Sequence, residues 1–108
     1  MRDNIKGGAL TEVTFFVLLS VYQPKHGYAI MQFIEEKTNG RLVLGAGTLY
    51  GALTSLEDKG WIIPCNHAGG RKKEYFITNA GKEICNKEII RLKELAKIAE
   101  DIMEGNYE

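Results

Sequence analysis

Between Gly81 and Gly105 the chain contains neither glycine nor proline. Within that stretch Cys85, Ile89, Leu92, Ala96, Ala99 and Met103 follow one another at intervals of four, three, four, three and four residues. This alternation is that of a coiled-coil seam. Leu95, Ile98 and Ile102 lie beside the seam and widen it. A terminal helix with so broad an apolar side would expose a large patch if it stood alone, so it is predicted to pair with a second copy. The alternative is that it folds back over its own core. With 108 residues, a chain buries only roughly 60 to 65% of its unfolded surface, so a partner covering further apolar area is physically useful.

Upstream, Met1 to Leu10 holds Arg2, Lys6 and Gly7-Gly8 and has the composition of a flexible arm. Thr11 can cap a helix in which Val13, Phe16, Val17 and Ser20 share a face and Leu18, Leu19 and Val21 broaden it. That helix is predicted to be almost wholly buried and to stop near Tyr22 or Gln23, before Pro24. A second helix fits His26 or Gly27 to Lys37, with Tyr28, Met31 and Ile34 inward, joined by Ile30 and Phe33. Asn39-Gly40 stops it. Arg41 to Leu44 is β-prone, and Gly45 precedes a third helix from Ala46 to Lys59 with Leu49, Ala52, Leu53 and Leu56 on one stripe. Trp61-Ile62-Ile63 and Lys73 to Thr78 read as two strands, and Pro64 to Lys72 is the hairpin tip between them. Two strands cannot stand alone and must pack on the helices.

Helix, helix, helix, strand, strand and long helix make a mainly α fold with a small β hairpin. These are the parts of a winged helix-turn-helix followed by a C-terminal dimerisation helix. Residues 1–78 form the DNA-binding region with its N-terminal arm, residues 79–108 the dimerisation helix and tail, and the two make one compact unit. In such folds the third helix can enter a major groove while the hairpin tip touches backbone or minor groove.

Fourteen basic and fourteen acidic residues cancel, so bulk charge does not drive the chain to nucleic acid or lipid, and any charge-driven function is local. Residues 1–78 carry nine basic and seven acidic side chains, residues 79–108 five and seven. The sharpest basic cluster is Arg71-Lys72-Lys73. On the third helix the outward candidates for contact with double-stranded DNA are Thr48, Tyr50, Gly51, Thr54 and Ser55, because hydroxyls bond phosphates or base edges and small residues admit close approach. Tyr50 can equally brace the second helix, and Thr48 can equally cap the start of its own. Without an arginine or asparagine for bidentate base contacts, phosphate contact is expected to supply much of the affinity.

Other chemistries are poorly supported. Val13 to Tyr22 is too short for a membrane span of about 20 residues, and no membrane partner is expected. Two cysteines fit neither a disulfide framework nor a zinc pair and point to a reducing, cytoplasmic setting. Cys65, His67 and Cys85 are better explained by packing than by a metal. Gly45 to Gly51 has glycines at the wrong spacing for a phosphate loop; Gly45 marks the helix entrance and Gly47 a close helix approach. No acid-base set for an enzyme is recognisable, and no cofactor is expected. A homodimeric winged-helix module that binds protein instead of DNA is the competing function.

Pro24-Lys25-His26-Gly27-Tyr28-Ala29-Ile30, Gly47-Thr48-Leu49-Tyr50 with Leu53, Leu56-Glu57 and Gly60, Gly70-Arg71-Lys72-Lys73-Glu74-Tyr75-Phe76, and Thr78-Asn79-Ala80-Gly81 together resemble the PadR family of transcriptional regulators. The match runs from about Thr11 to Gly81. The resemblance implies a homodimeric DNA-binding regulator, usually a repressor that leaves a palindromic promoter site when a small effector binds. It places Tyr50 at the DNA-facing side and Gly70 to Lys73 in the wing. The single helix after Gly81 is similar to the short branch of the family. Some short members stack flat aromatic drugs between tryptophans on that helix, whereas the only tryptophan here is Trp61. A candidate pocket for a small hydrophobic effector is formed instead by Phe15, Phe16, Ile89, Leu92 and Ala96, for each of which core packing is the plainer explanation.

Overall fold

A computed structural model describes residues 8–66 and 72–106. Thr11 opens the first helix, α1 (Glu12–Ser20), by accepting the Thr14 amide on its hydroxyl at 3.1 Å. The chain then turns at Val21 and runs through β1 (Lys25–His26) into α2 (Gly27–Lys37). Asn39 and Gly40 adopt positive φ and end that helix as their sequence requires. Helix α3 spans Ala46–Asp58, strands β2 (Ile62–Cys65) and β3 (Glu74–Ile77) follow, and α4 covers Asn79–Met103.

The sheet has three strands rather than the two expected, in the order β1-β3-β2, all antiparallel. Strand β1 escaped prediction because two residues show no alternation. Pairing sets Lys25 opposite Tyr75, His26 opposite Glu74, and Ile62 opposite Ile77. Pro64 sits in β2, an edge strand, where its missing N–H costs no ladder bond to a further neighbour. Strand β3 alternates half-buried Glu74 and Phe76 with buried Tyr75 and Ile77, as its sequence pattern predicts.

The core gathers Val17, Leu18, Val21, Ile30, Ile34 and the whole α3 stripe of Leu49, Ala52, Leu53 and Leu56. Each fully buried leucine or isoleucine contributes about 1.5–3 kcal/mol. Turning α3 about its axis would expose three such leucines at once, so the stripe fixes which face looks outward. Lys25 ties the layers together: its ammonium donates to the Ser20 carbonyl at 2.8 Å and lies 4.6 Å from the Phe33 ring centre. The Ile77 amide donates to the Val21 carbonyl at 2.9 Å, fastening the α1–β1 turn to the central strand.

Several expectations are corrected. Only Thr14, Val17, Leu18 and Ser20 of α1 are buried; Phe15, Phe16 and Leu19 remain half-exposed on the side toward α4. Tyr28 turns outward at 59% exposure and Met31 is half-buried, because Ile30 and Ile34 fill the inward positions of α2. Arg41 to Leu44 forms no strand; Leu44 goes to the core and Arg41 pairs with Glu12 through both guanidinium nitrogens. The arm is packed where it is described: Ala9 and Leu10 are buried, and the Leu10 amide donates to Glu88 Oε1 at 3.4 Å. Residues 1–7 of that arm lie outside the described residues. No Cβ placed on Gly47 would meet a neighbour within 4 Å, so no helix of the same chain approaches there.

Thr78 caps α4 by accepting the Gly81 amide at 3.1 Å while its hydroxyl donates to the Gly60 carbonyl at 2.7 Å. Gly81 is buried because a Cβ there would run into the Trp61 carbonyl and stand 2.7 Å from Ile77 Cγ1. The first turns of α4 therefore close over the hairpin. Beyond Arg91 no residue up to Asn106 is buried, and the molecule extends to 57 Å along its longest axis.

Candidate nucleic-acid interface

With its apolar stripe inward, α3 presents Gly47, Thr48, Tyr50, Gly51 and Thr54 to solvent, while Ser55 is half-buried at the margin. Gly47 and Gly51 are one turn apart, and neither has a heavy atom within 4 Å of an added Cβ. They make a smooth strip on which another surface can approach the helix backbone. Thr48 is exposed, and α3 has no side-chain cap at its start, so the capping alternative for Thr48 falls away. The Thr54 hydroxyl donates to the Tyr50 carbonyl at 2.9 Å, which leaves its oxygen to act as an acceptor.

Tyr50 does both things its sequence position allows. Its ring lies over Gly27, where an added Cβ would stand 2.8 Å from the ring carbon Cζ and overlap the hydroxyl, yet the residue is 48% exposed. Glycine at position 27 is thus what lets α2 and α3 meet with the phenol between them. His26 starts α2 by accepting the Ala29 amide on Nδ1 at 3.4 Å. Beside these groups the base of the wing brings Lys72 and Lys73, both exposed. Lys73 lies 3.6 Å from Glu57 Oε1 and 5.4 Å from the Tyr75 ring centre. Burial pushes the Tyr75 phenol up, against the pull of the Lys73 charge. Together His26, Tyr28, Tyr50, Lys72, Lys73 and Tyr75 line a cleft of about 250 Å³ on the exposed side of α3. Arg71, the first member of the basic cluster, lies outside the described residues.

A second concavity of about 340 Å³ separates α1 from α4, with Leu10, Phe15, Phe16, Leu19 and Leu92 as its apolar lining and Glu88 and Arg91 at its polar edge. Phe15, Phe16 and Leu92 of the candidate effector set meet there; Ile89 and Ala96 do not line it and face solvent. Glu88 is buried on α4 and pairs with Arg91 at 2.6 and 2.9 Å. The Arg91 guanidinium holds the carboxyl below its ordinary value against the effect of burial.

Of the seam residues, Cys85 belongs to the chain's own core at 3% exposure, so the open part of the seam starts one turn later, at Ile89. Burial pushes the Cys85 thiol up, partly offset by the Tyr22 hydroxyl, and Tyr22 itself is raised to about 12, chiefly by burial. Ile89, Leu92, Ala96, Ala99 and Met103 are exposed, as are Leu95, Ile98 and Ile102. Cys65 and Cys85 are both free thiols, and His67 lies outside the described residues. Among the described residues no helix is long and apolar enough to cross a membrane.

Two helices leading into an outward-facing third, with a hairpin beside it and a long helix behind, define a winged helix-turn-helix. Solved structures of regulators share this arrangement. One from Clostridium thermocellum, described as a transcriptional regulator, is 26% identical, with a TM-score of 0.69 over 82% of this chain and 88% of that one. A PadR family transcriptional regulator from Eggerthella lenta, at 22% identity, is alike in fold, with a TM-score of 0.72 over 87% of this chain and 83% of that one.

The chain belongs to the PadR-like family of transcriptional regulators, whose family model matches residues 16–87. Membership implies DNA binding, and the family is one of regulators, not enzymes. A curated relative, an uncharacterized 37.1 kDa protein in a transposon of Streptomyces fradiae, is 43% identical over 65 residues. The match covers 60% of this chain and 18% of that protein, so the chain spans about a fifth of its length. Uncharacterized protein X of Lysinibacillus sphaericus is 29% identical over 109 residues, covering 97% of each chain.

His26, Tyr28 and Gly27 were not among the site candidates read from the sequence. Tyr28 was counted as apolar on a helical stripe, and the contact between Gly27 and Tyr50 joins two helices, which no pattern within one helix reveals.

Proposed function

We propose that the protein is a homodimeric repressor that acts on promoter DNA in the cytoplasm and releases a two-half-site operator when a small hydrophobic effector binds. The observation carrying this reading is the outer face of α3: exposed glycines and hydroxyl side chains adjoining the lysines of the wing. Thr48, Tyr50, Gly51 and Thr54 would face the groove, with Ser55 at the margin, and Arg71, Lys72 and Lys73 would neutralise phosphates. Ile89, Leu92, Ala96, Ala99 and Met103, widened by Leu95, Ile98 and Ile102, would pair the subunits and set the distance between two α3 helices. Half-sites about 34 to 36 Å apart, or a multiple of that, match such a dimer.

The hollow between α1 and α4 borders the proposed subunit seam through Leu92. An apolar effector lodged beside Phe15 and Phe16 would tilt α4 against the winged unit, and a few kcal/mol of coupling is enough to change operator occupancy usefully. Selection of bound duplexes from random DNA at several salt concentrations tests the reading. Recovery of a two-fold repeated site, with affinity falling as salt rises, is expected. Failure to enrich any duplex refutes it.

A further inference from the structure

The cleft at the meeting of α2, α3 and the wing has a chemical character that the outward face of α3 does not explain. Its polar side chains can all act as hydrogen-bond donors. Tyr28 and Tyr50 offer phenol hydroxyls at 59% and 48% exposure, and Lys72 and Lys73 offer ammonium groups. His26 also lines the cleft. Its Nδ1 accepts the Ala29 amide, so a neutral ring carries its proton on Nε2, and any bond it makes in the cleft is donated. Among the described residues no carboxylate lines the space. The nearest acidic groups stand at its edge: Glu57 pairs with Lys73, and Glu74 stands opposite His26 in the sheet. Gly27 carries the Tyr50 ring at the edge of this space, because any side chain at 27 would displace it.

We propose that this cleft seats one phosphodiester of the DNA backbone, with the hydroxyls of Tyr28 and Tyr50 and the Lys72 ammonium as its principal donors. The proposal rests on the DNA reading above and extends the interface to α2. Donors lining one cleft, with no carboxylate among the described lining residues, suit an oxyanion. Two phenol hydroxyls carried on separate helices can fix where that oxyanion lies, whereas lysine supplies a mobile point charge. Phosphate contacts of this kind set the register of a protein on its duplex. The division of labour has a distinct signature. Removing a phenol hydroxyl loses a hydrogen bond but displaces no cation, so affinity falls while its dependence on salt stays the same. Removing Lys72 lowers both affinity and salt dependence.

The test uses the full chain and a duplex recovered by selection, with each backbone phosphate replaced in turn by an uncharged methylphosphonate. Among the positions where neutralisation weakens the parent, fluorescence anisotropy is expected to find one in each half-site, with a loss of about tenfold, that corresponds to this seat. At that position Tyr28→Phe and Lys72→Ala should lose little more, whereas elsewhere the losses should multiply. Tyr28→Phe and Tyr50→Phe should each bind the unmodified duplex about tenfold more weakly, with an unchanged salt slope and unfolding midpoint. Undiminished affinity of both tyrosine variants overturns the seat, as do losses that multiply at every position. If the parent binds duplex normally in those cases, the DNA reading survives the failure. A parent that binds no duplex overturns both.

Discussion

Replacing Gly81 with alanine and Gly51 with alanine adds the same methyl group to two helices, with opposite expected results. At Gly81 the new Cβ would meet the Trp61 carbonyl oxygen, with Ile77 Cγ1 at 2.7 Å and the Trp61 carbonyl carbon at 3.2 Å. The obstruction is partly backbone, and that same carbonyl accepts the Thr78 amide at 3.0 Å, so it cannot swing aside as a flexible side chain would. Overpacking of this kind costs about 1–3 kcal/mol, while the better helix propensity of alanine returns at most about 1 kcal/mol. With the middle of the first range, about 2 kcal/mol, the net loss is about 1–2 kcal/mol, a fall in Tm of roughly 5–10 °C for a domain near 100 residues. At Gly51 nothing lies within 4 Å, so the propensity gain of about 0.5–1 kcal/mol is kept in full. Gly51→Ala should therefore raise Tm while weakening duplex binding, because the methyl stands on the surface proposed to meet the groove. Thermal unfolding at one fixed chain concentration, needed because association adds to apparent stability, together with anisotropy on a selected duplex, reads both effects. If Gly81→Ala is as stable as the parent, the close contact with Trp61 does not constrain the α4 junction. If Gly51→Ala binds DNA undiminished, α3 does not approach the duplex by that strip.

Leu92→Glu should raise the dissociation constant for self-association at least about 100-fold, because it places an unpaired charge on the proposed seam; an unchanged dimer in sedimentation would reject this face. Glu88 is held below its ordinary value of 4.5 by Arg91. Its contribution to stability is therefore complete above about pH 4.5 and lost as pH falls through the lower folded-state value. Glu88→Gln should be less stable than the parent at neutral pH, with the gap narrowing in acid; urea unfolding at pH 7 and pH 3 would expose a constant gap as the contrary result. Burial raises the Cys85 thiol, so alkylation of the native protein should modify half-exposed Cys65 first and reach Cys85 only on unfolding. Equal labelling rates, followed by mass spectrometry of the native protein, would contradict that placement.

Features confined to one element were legible in the sequence. The α3 stripe of Leu49, Ala52, Leu53 and Leu56 and the alternation of Glu74 to Ile77 are complete patterns within their own segments, and burial follows them residue by residue. The cap of α1 was equally local, since Thr11 accepts the amide of Thr14 three residues ahead. What escaped depends on a second element. Strand β1 exists only because β3 pairs with it. Tyr28 faces out because its neighbours Ile30 and Ile34 take the core positions. The heptad spacing placed Cys85 and Ile89 on one seam without showing that the first packs inside its own chain. Glu88, a carboxylate within an apolar pattern, is accommodated by Arg91 one turn on and by the Leu10 amide, a contact across 78 positions of sequence. Of the cleft joining His26, Tyr28, Tyr50 and Lys72, only Tyr50 and Lys72 stand out in the sequence, and it becomes a site only when three elements meet.

The distal half of α4 has a further consequence. Beyond Leu92, which still lines the hollow beside α1, the chain buries no residue of its own helix, and a free segment of about 12–15 residues is only marginally helical in water. Whatever surface covers this segment also keeps it wound. In the proposed dimer, copy number then becomes an input alongside any effector: at high dilution the rod that would space the two reading heads would fray, and grip on the operator would weaken more steeply than simple mass action on preformed pairs allows.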